Sequence, residues 1–505
     1  MGPTGKILIV GGGPAGLGAA WRLHEAGYAD WELFEKEVHV GGLAGSYVDE
    51  NGFTWDLGGH VVFSHFDYFD HLLNLLLEHQ WVWHEREAWV WMRERFIPYP
   101  LQNNIRHLPT PELWECLEGL LDTQKAALCE NCGLEVPDSI RNPQSAIRYP
   151  MTQPVTFADW IVRSFGAGLA RVFLTPYNVK VWATDPAEMS ASWVGERVAM
   201  VDFKHILRNA IEGRDDLGWG PNATFRFPLQ GGTGRIWQAI AGRLPPDRLH
   251  LGAEVTAVDS RQRILRLRDG REIGYDWLIT TMPLDCLLDG ILDLVGWAVP
   301  TIPQANSGKS VGTTHPARLR YSSTHVIGVG LSGPVPRHLA TKCWIYFPEP
   351  ELPFHRVTVF SNYSPNNVPH PGRQWSLMAE ISESAAKPVD RANVVQQTLD
   401  GLKAVQLIGP GDAVESLWHR RVEHAYPTPT LSRDALLDRI EPALYARHIL
   451  SRGRFGAWKY EVGNMDHSFM QGVEAANHIL SGAPETTLHS PATVNAQKPS
   501  GRKGG

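Results

Sequence analysis

The sequence predicts an α/β fold, in which a unit built on a parallel sheet carries a helical insertion and an antiparallel β-sheet domain. Three observations indicate this organisation. An apolar, β-branched run over 6–10 leads directly into glycines and then into a helical pattern, as in a β-α-β unit. Residues 110–217 repeat apolar side chains with helical spacing. Residues 320–425 instead contain a series of short strand-like runs.

The glycines after the first predicted strand fit a dinucleotide-binding turn. Gly11, Gly13 and Gly16 match G-x-G-x-x-G, and a second predicted strand ends at Glu35, about 20 residues further along. Glycines permit a tight turn and a close approach of the backbone to a pyrophosphate, and a carboxylate at the second strand end receives ribose hydroxyls. This register predicts a Rossmann-like domain. Its expected contacts to the cofactor are Gly11, Gly13, Ala15, Gly16 and Glu35.

Further glycines favour FAD over a nicotinamide dinucleotide. GGLAG at 41–45 and DLGGH at 56–60 follow the acid, and FAD extends further than NAD at its redox end. GNMDHS at 463–468 precedes an apolar-periodic run, which indicates a helix start whose N–H groups favour an anion or a polarised ring oxygen. We therefore predict a Rossmann-like FAD-binding domain. Its additional expected contacts are Gly42, Leu43, Gly58, Gly59, His60, Val255, Gly463, Asn464, Met465 and Ser468.

Composition limits the classes of function. The 505 residues carry a formal net charge of −7, with 43% hydrophobic and 20% charged residues. These values are typical of a globular protein without general attraction to nucleic acid. No run approaches 18 apolar residues and the first strand begins at Lys6, so we expect no membrane span, no signal peptide and a cytoplasmic location. Five cysteines fit a reducing compartment. Cys129 and Cys132 form C-x-x-C without a second pair, so we expect ordinary thiols and no metal site; the composition leaves homo-oligomerisation open.

The domain organisation is predicted to be discontinuous. Trp81, Trp83, Trp89 and Trp91 alternate with period two, which indicates strands. SGKS at 307–310 matches part of a phosphate-binding loop, but Pro303 stands where that motif needs glycine, so we predict a flexible inserted loop at 296–317. The other predicted units are an FAD-binding domain in three parts (1–80, 218–295 and 431–484), strands at 81–109, a helical substrate domain with mobile loops at 110–217, an antiparallel sheet domain at 318–430 and a disordered tail at 485–505.

Several strings together resemble, in order, the eukaryotic, chiefly fungal, UDP-galactopyranose mutases. They are GGHVVFSH at 58–65, PYPLQNN at 98–104, PYNVKVW at 176–182, WGPNATF at 219–225, YSSTH at 321–325, FSNYS at 360–364, HAYPTPT at 424–430 and SRGRFGAWKYEVGNMDHSFMQGVE at 451–474. The resemblance extends from 6 to about 481. It departs most at the 296–316 segment, which lies away in sequence from these strings.

The resemblance implies an isomerase with its active site in the cleft between the domains. Such an enzyme interconverts UDP-galactopyranose and UDP-galactofuranose through a covalent sugar adduct on N5 of reduced FAD, without net redox change. NADPH or NADH would act as the reductant. The product would provide galactofuranose for a cell wall.

The resemblance also assigns roles to individual residues. Arg197 and Arg356 would neutralise the departing diphosphate, and with His60, packed against the flavin, they form the expected catalytic set. Tyr99 and Gln102 would bind uracil. The other expected substrate contacts are Asn178 and Trp182 near the ribose, Asn222 in a closing loop, the hydroxyls of Tyr346, Tyr426 and Tyr460, and Arg454 and Asn464 near the sugar. His65 would be linked to reduction by NADPH.

Each of these residues has a simpler explanation when taken alone. An arginine such as Arg197 more often forms a surface ion pair, and a tyrosine such as Tyr426 more often packs in a core with its hydroxyl satisfied. Two other functions also suit a flavin fold. An amine oxidase or desaturase needs an aromatic cage rather than arginines, and a flavin-bearing sensor would lack the anion ligands. The set of arginines favours the isomerase.

Overall fold

The first β-α-β unit belongs to a five-stranded parallel sheet. In the computed structural model, which describes residues 5–131, 156–200, 202–217, 223–290 and 318–496, the strand Ile7–Val10 lies at the centre of this sheet. Its four side chains are all buried, as an unbroken apolar run in a parallel sheet requires. Three separate stretches of the chain build the sheet. The strand order is Ile449–Ser451, Trp277–Thr280, Ile7–Val10, Trp31–Glu35 and Leu249–Leu251.

Two helices on this sheet, Pro14–Glu25 and Met465–Ser481, pack with their backbones in contact. A Cβ on Gly472 would lie 1.9 Å from the Ala15 carbonyl oxygen, and one on Gly18 would lie 2.2 Å from the Phe469 carbonyl oxygen. Real Cβ atoms do not come this close, so only glycine permits the packing at both positions. The contact ties the C-terminal helix to the N-terminal unit.

The second large sheet has seven strands. Neighbouring strands are antiparallel except where Trp344–Tyr346 runs parallel to Ala88–Met92. This sheet combined with the parallel sheet confirms the predicted α/β class. The strand order is Val414–Thr428, Arg320–Ser332, Gln374–Glu383, Arg356–Val359, Trp344–Tyr346, Ala88–Met92 and Arg95–Pro98.

The remaining elements are helices around the two sheets and three small sheets. None of the described helices combines the length and apolar character that crossing a membrane would need. The helices are Asp67–Leu77, Thr110–Asn131, Phe157–Leu169, the π-helical turn Ala170–Leu174, Thr175–Trp182, Phe203–Glu212, Gly234–Ala241, Leu284–Gly290, Val394–Ala404 and Arg433–Tyr445. The small sheets pair Val255–Asp259 with Ile264–Leu267 and Glu272–Gly274, Ser46–Val48 with Thr54–Asp56, and Trp81–Glu85 with Thr224–Pro228.

The structure differs from the sequence prediction at the C-terminal tail. Residues 485–505 were expected to be disordered, yet short helices form at Thr486–His489 and Pro491–Asn495. The polar composition conceals two apolar anchors, Leu488 and Val494, which are 2% and 1% exposed. The Glu474 carboxylate also accepts hydrogen bonds from Thr487, so this part of the tail packs on the preceding helix. The predicted loop at 296–317 lies outside the described residues, as do Asn222 and Cys132.

Candidate active site

The glycine turn of the first unit fits the pyrophosphate and ribose of a dinucleotide. Gly11 has a φ of +102°, and a Cβ on Gly16 would lie 1.8 Å from the Gly11 carbonyl oxygen, so the turn requires glycine at both positions. No described side chain caps the Pro14–Glu25 helix, so its first N–H groups can serve an anion. Glu35 is buried at the end of its strand, where its carboxylate accepts the Gly12 N–H at 2.5 Å. The carboxylate therefore lies beside the turn, as ribose recognition requires.

Other predicted cofactor residues converge on the same turn. A Cβ on Gly13 would lie 3.7 Å from the Gly42 Cα, so the two glycine segments face each other. The Ala253 N–H donates to the Glu35 carbonyl oxygen at 2.8 Å, which brings the strand that begins at Val255 alongside. The structure thus brings together Gly11, Gly13, Ala15, Gly16, Glu35, Gly42, Leu43 and Val255, and this backbone-lined space is of the kind that a nucleotide cofactor needs.

The second predicted anion-binding helix start is also present. The helix Met465–Ser481 begins after Asn464, whose side chain makes no cap hydrogen bond, and the Ser468 N–H donates to the Asn464 carbonyl oxygen at 2.8 Å. Gly463 closes a short helical turn just before it, accepting a hydrogen bond from Arg454 on its carbonyl oxygen at 3.3 Å. The first N–H groups of this helix therefore have no capping side chain in the described structure and can serve an anion.

Two histidines meet at the first turn of this helix. The Asp466 carboxylate accepts the His65 backbone N–H at 3.1 Å and contacts its Nδ1 at 2.9 Å, and the rings of His65 and His467 stack 4.8 Å apart. Burial alone would raise the pKa of Asp466, but His467 and His65 lower it to about 2. Donor atoms of the three residues lie within 4.8 Å of one another, so the group could also hold a metal ion, which the sequence does not predict.

Residues 58–60, which we call the 58–60 strip, run against the large sheet. Gly58 has a φ of +141°, and a Cβ on Gly59 would lie 2.7 Å from the Thr358 Oγ1 and 3.4 Å from the Arg356 Cζ. Within the described structure, the buried His60 Nδ1 has no hydrogen-bond partner. Burial lowers the pKa of His60 to about 4, so the imidazole is neutral at neutral pH.

Arg356 forms a two-point ion pair with Glu380 on the neighbouring strand. The two residues are direct partners in the sheet register. Arg356 Nε donates to Glu380 Oε1 at 2.7 Å and Nη2 donates to Oε2 at 2.8 Å. Burial would lower the pKa of Arg356, but the Glu380 carboxylate raises it well above its usual value. Burial likewise opposes ionisation of Glu380, yet Arg356 lowers its pKa. Both groups are therefore charged.

Tyrosines surround this ion pair. Tyr346 is the sheet partner of Arg356 on the other side, and its ring lies 5.0 Å from Tyr99 and 5.3 Å from Tyr177. Burial raises the pKa of Tyr426, and Arg356 opposes this effect by its charge, which indicates that the phenol and the guanidinium are close. Their hydroxyls are protonated at neutral pH and can donate hydrogen bonds to an oxyanion.

Two further arginines flank the ring of Tyr460. The Arg197 Cζ lies 5.2 Å from the ring centroid and the Arg454 Cζ lies 5.0 Å from it. Arg197 Nη2 donates to the Tyr460 carbonyl oxygen at 3.3 Å, while Arg454 donates to the carbonyl oxygens of Ala425 and Gly463 at 3.0 and 3.3 Å. Neither arginine has a carboxylate partner in the described parts of the chain, and the buried Arg197 Nη1 has no partner there. Two cations thus face the site without a neutralising anion.

The predicted uridine contacts lie on the helical side of this arginine group. Gln102 Nε2 donates to the Ala199 carbonyl oxygen at 3.1 Å, two residues after Arg197, and its buried Oε1 has no partner among the described residues. Trp182 packs 4.8 Å from the Tyr460 ring, and Asn178, one turn earlier, donates to the Leu174 carbonyl oxygen at 2.8 Å. One apolar cluster joins these segments to Tyr99, Tyr346, Tyr426 and Tyr460.

Sequence reasoning missed two residues of this site, Glu380 and Tyr177. Tyr177 lies inside the 176–182 string, but neither its spacing nor the resemblance assigns it a role. Glu380 had a signal that could have found it, since it is a charged residue within the strand Gln374–Glu383, whose side chains are otherwise almost entirely buried. A carboxylate in such a strand needs a cationic partner.

Known proteins share the family and the fold of this chain. The family model "Flavin containing amine oxidoreductase" matches residues 14–480. The crystal structure of a reduced UDP-galactopyranose mutase is 46% identical, covers 98% of this chain and 98% of its own, and has a TM-score of 0.87. Cyclohexylamine oxidase from Brevibacterium oxydans, 16% identical over 94% of this chain and 99% of its own with a TM-score of 0.61, shares the fold alone.

A curated relative matches over a much shorter stretch. Zeta-carotene desaturase from Capsicum annuum is 36% identical over 63 residues, which are 12% of this chain and 10% of that protein's length. The family model and the 46% identical structure each extend over nearly the whole chain, so they decide the classification. The chain belongs to the flavin containing amine oxidoreductases and, within that family, to the UDP-galactopyranose mutases.

Proposed function

We propose that this protein interconverts UDP-galactopyranose and UDP-galactofuranose at a reduced flavin, without net redox change, as an enzyme of the eukaryotic, fungal type. One observation carries the proposal. Arg197 and Arg454 contact Tyr460 and backbone carbonyl oxygens but no carboxylate among the described residues, so the site has two cations that no anion neutralises. A nucleoside diphosphate carries the matching negative charge, and arginine forks bind its oxygens with fixed geometry.

The residues of the chain can support the departure and return of UDP. Arg197 and Arg356 stabilise the negative charge that develops on the diphosphate, and the protonated hydroxyls of Tyr346 and Tyr426 donate to its oxygens. Gln102 Oε1, buried and without a described partner, can accept from the uracil ring. The reduced flavin, when bound, provides a nucleophilic ring nitrogen for the anomeric carbon.

His60 has a distinct task on the flavin side. Its pKa of about 4 keeps the imidazole neutral, so one ring nitrogen accepts a hydrogen bond while the other donates. A neutral ring adds no third unneutralised cation to a site in which Arg197 and Arg454 already repel each other. His60 therefore orients the ring edge or the sugar by hydrogen bonding.

Oxidation of an amine is the alternative that the fold allows. Amine oxidases bind a cationic substrate, and the two unneutralised guanidinium groups would repel it. The same charges have no role towards a hydrocarbon, which a desaturase binds. Arg197 and Arg454 therefore favour the mutase.

The first test is turnover under controlled redox conditions. Purified protein is reduced anaerobically with dithionite and incubated with UDP-galactofuranose, and UDP-galactopyranose is measured by chromatography beside an oxidised control. Conversion in the reduced sample alone is the expected result. FAD-loaded protein that converts nothing, but consumes oxygen with amines, would replace the proposal by the oxidase. Repeating the assay with NADPH and with NADH as reductant tests the proposed reductants, and fractionation tests the proposed cytoplasmic location.

Replacement of Arg356 tests the diphosphate contact. Arg356→Ala is expected to abolish turnover while FAD stays bound, because the arginine touches the diphosphate and not the glycine turn. The substitution also leaves Glu380 buried without its cation, at a cost of about 3–5 kcal/mol in the free energy of unfolding. Arg391→Ala is the matched control, since Arg391 pairs with Glu383 on the same strand. Turnover by Arg356→Ala at the wild-type rate would remove the residue from the mechanism.

A further inference from the structure

The carboxylate of Glu380 forms hydrogen bonds with two parts of the site, the side chain of Arg356 and the backbone of the 58–60 strip. Glu380 is 2% exposed on the strand Gln374–Glu383. Its Oε1 accepts from Arg356 Nε at 2.7 Å and from the Gly59 N–H at 3.1 Å, and its Oε2 accepts from Arg356 Nη2 at 2.8 Å. One carboxylate therefore holds a sheet arginine and the backbone of the 58–60 strip together.

The glycines of the strip make this contact possible. A Cβ on Gly58 would lie 3.3 Å from Glu380 Oε2, and Gly58 also has a φ of +141°, which other residues rarely adopt. A Cβ on Gly59 would press on Thr358 and on the Arg356 guanidinium. The strip thus lies directly on the ion pair, and its position is fixed by the position of the carboxylate.

Glu380 also makes Arg356 electrically different from the other two arginines. Arg356 uses Nε and Nη2 on the carboxylate, so the Nη1 edge of its fork is left for a ligand. Its charge is neutralised, whereas Arg197 and Arg454 have no carboxylate partner in the described regions. The two unneutralised charges match a diphosphate without Arg356, which suggests that Arg356 contributes direction more than net attraction.

We propose that Glu380 is a positioning residue, which fixes the Arg356 fork relative to the 58–60 strip and so aligns the diphosphate of the substrate with the flavin side of the site. This inference rests on the proposed function. It predicts that a substitution of Glu380 affects the affinity for UDP and the kcat differently. Binding of UDP is retained because the attracting charges stay, while kcat falls because the alignment is lost.

Glu380→Gln is the most informative variant. The amide can keep one acceptor oxygen for Gly59 but turns an NH2 group towards Arg356, donor against donor. Loss of alignment by about 1 Å lowers a rate by about 100-fold. We therefore expect kcat per bound FAD to fall by about that factor, while the Kd for UDP, measured by titration of the reduced holoenzyme, stays within about threefold of wild type or becomes tighter.

A matched control and a double variant separate positioning from general damage. Glu383→Gln changes a second buried glutamate of the same strand, which pairs with Arg391 and Arg421 instead, and should leave kcat unchanged. If Glu380 acts by fixing the Arg356 fork, Glu380→Gln adds no further loss of kcat in an Arg356→Lys background, because lysine keeps the charge but has no fork to fix. Independent, multiplying losses would overturn the inference.

The outcomes also separate this inference from the proposed function. A wild-type protein without mutase turnover refutes the function. Wild-type turnover together with a normal kcat per FAD in Glu380→Gln refutes the positioning role alone, as does a weaker UDP affinity with unchanged kcat. If Glu380→Gln fails to load FAD, the positioning role is tested with Glu380→Asp instead. Aspartate keeps the charge but is too short to hold Arg356 and Gly59 together. A normal kcat in the Glu380→Asp variant refutes the positioning role.

Discussion

Replacement of Arg197 by glutamine should weaken binding of UDP without destabilising the protein. The guanidinium carbons of Arg197 and Arg454 lie 5.2 and 5.0 Å from the ring centroid of Tyr460, so they are no more than about 10 Å apart. Two unit charges no more than about 10 Å apart repel by at least about 1.7 kcal/mol at an effective dielectric constant of about 20. The ligand-free protein bears this repulsion, and the Arg197→Gln variant does not.

The Arg197→Gln variant also loses stabilising contacts whose combined free energy is similar to this repulsion. The variant forfeits a cation–π contact worth about 0.5–1 kcal/mol and a hydrogen bond to the Tyr460 carbonyl oxygen worth about 1 kcal/mol. The net loss in the free energy of unfolding is therefore close to zero at most, because the relieved repulsion is at least as large as these contacts. In the complex, by contrast, a charge-assisted hydrogen bond of about 2 kcal/mol is lost, which corresponds to about 30-fold in Kd.

Thermal melting and UDP titration measure the two effects on the same samples. We expect the Tm of the FAD-loaded, UDP-free variant to fall by no more than about 2 °C from wild type, because about 1 kcal/mol moves the Tm of a large chain by only a few degrees. The Kd for UDP should rise about 30-fold. Arg171→Gln is the control, since Arg171 is exposed and paired with Glu115 in the same helical region. A Tm that drops by more than about 5 °C while UDP still binds normally would refute the reasoning.

Two other predictions concern pH and packing. The burial that lowers the pKa of His60 to about 4 means that the unfolded chain takes up a proton near pH 6.5 and the folded chain does not. The contribution of His60 to stability is therefore present above about pH 6.5 and is lost as the pH falls towards 4. The Tm of the His60→Gln variant should consequently fall less than the Tm of wild type when the pH is lowered from 7 to 4.5. Equal falls in Tm would contradict this prediction. Gly472→Ala should abolish FAD loading and lower the yield of folded protein, because its Cβ would lie 1.9 Å from the Ala15 carbonyl oxygen. The control is Gly411→Ala, which has open space around its Cβ and should match wild type when bound flavin is measured by absorbance. Full FAD occupancy in Gly472→Ala would contradict the packing argument.

The sequence predictions that the structure confirms rest on local patterns. The order of strand, glycines, helix, strand and acid predicts the β-α-β unit because each feature acts within about 30 residues, and the structure places Gly11, Gly16 and Glu35 around one turn. The α/β class followed from the same kind of local periodicity. The prediction of disorder is wrong for residues 485–496 because composition averages over residues, whereas Leu488 and Val494 are two single anchors that require a partner surface built elsewhere.

The sequence by itself determined which chemical groups are available: a glycine turn for a dinucleotide, a second helix start at 464–465, and the arginines and tyrosines that the mutase resemblance singles out. The tertiary structure decided how their charges are distributed. Strand register sets Arg356 opposite Glu380, and the chain brings Arg197 against the Tyr460 carbonyl oxygen across 263 positions without a described carboxylate near it. Electrostatic interaction depends on distance and burial, and for residues this far apart in sequence only the fold fixes either quantity.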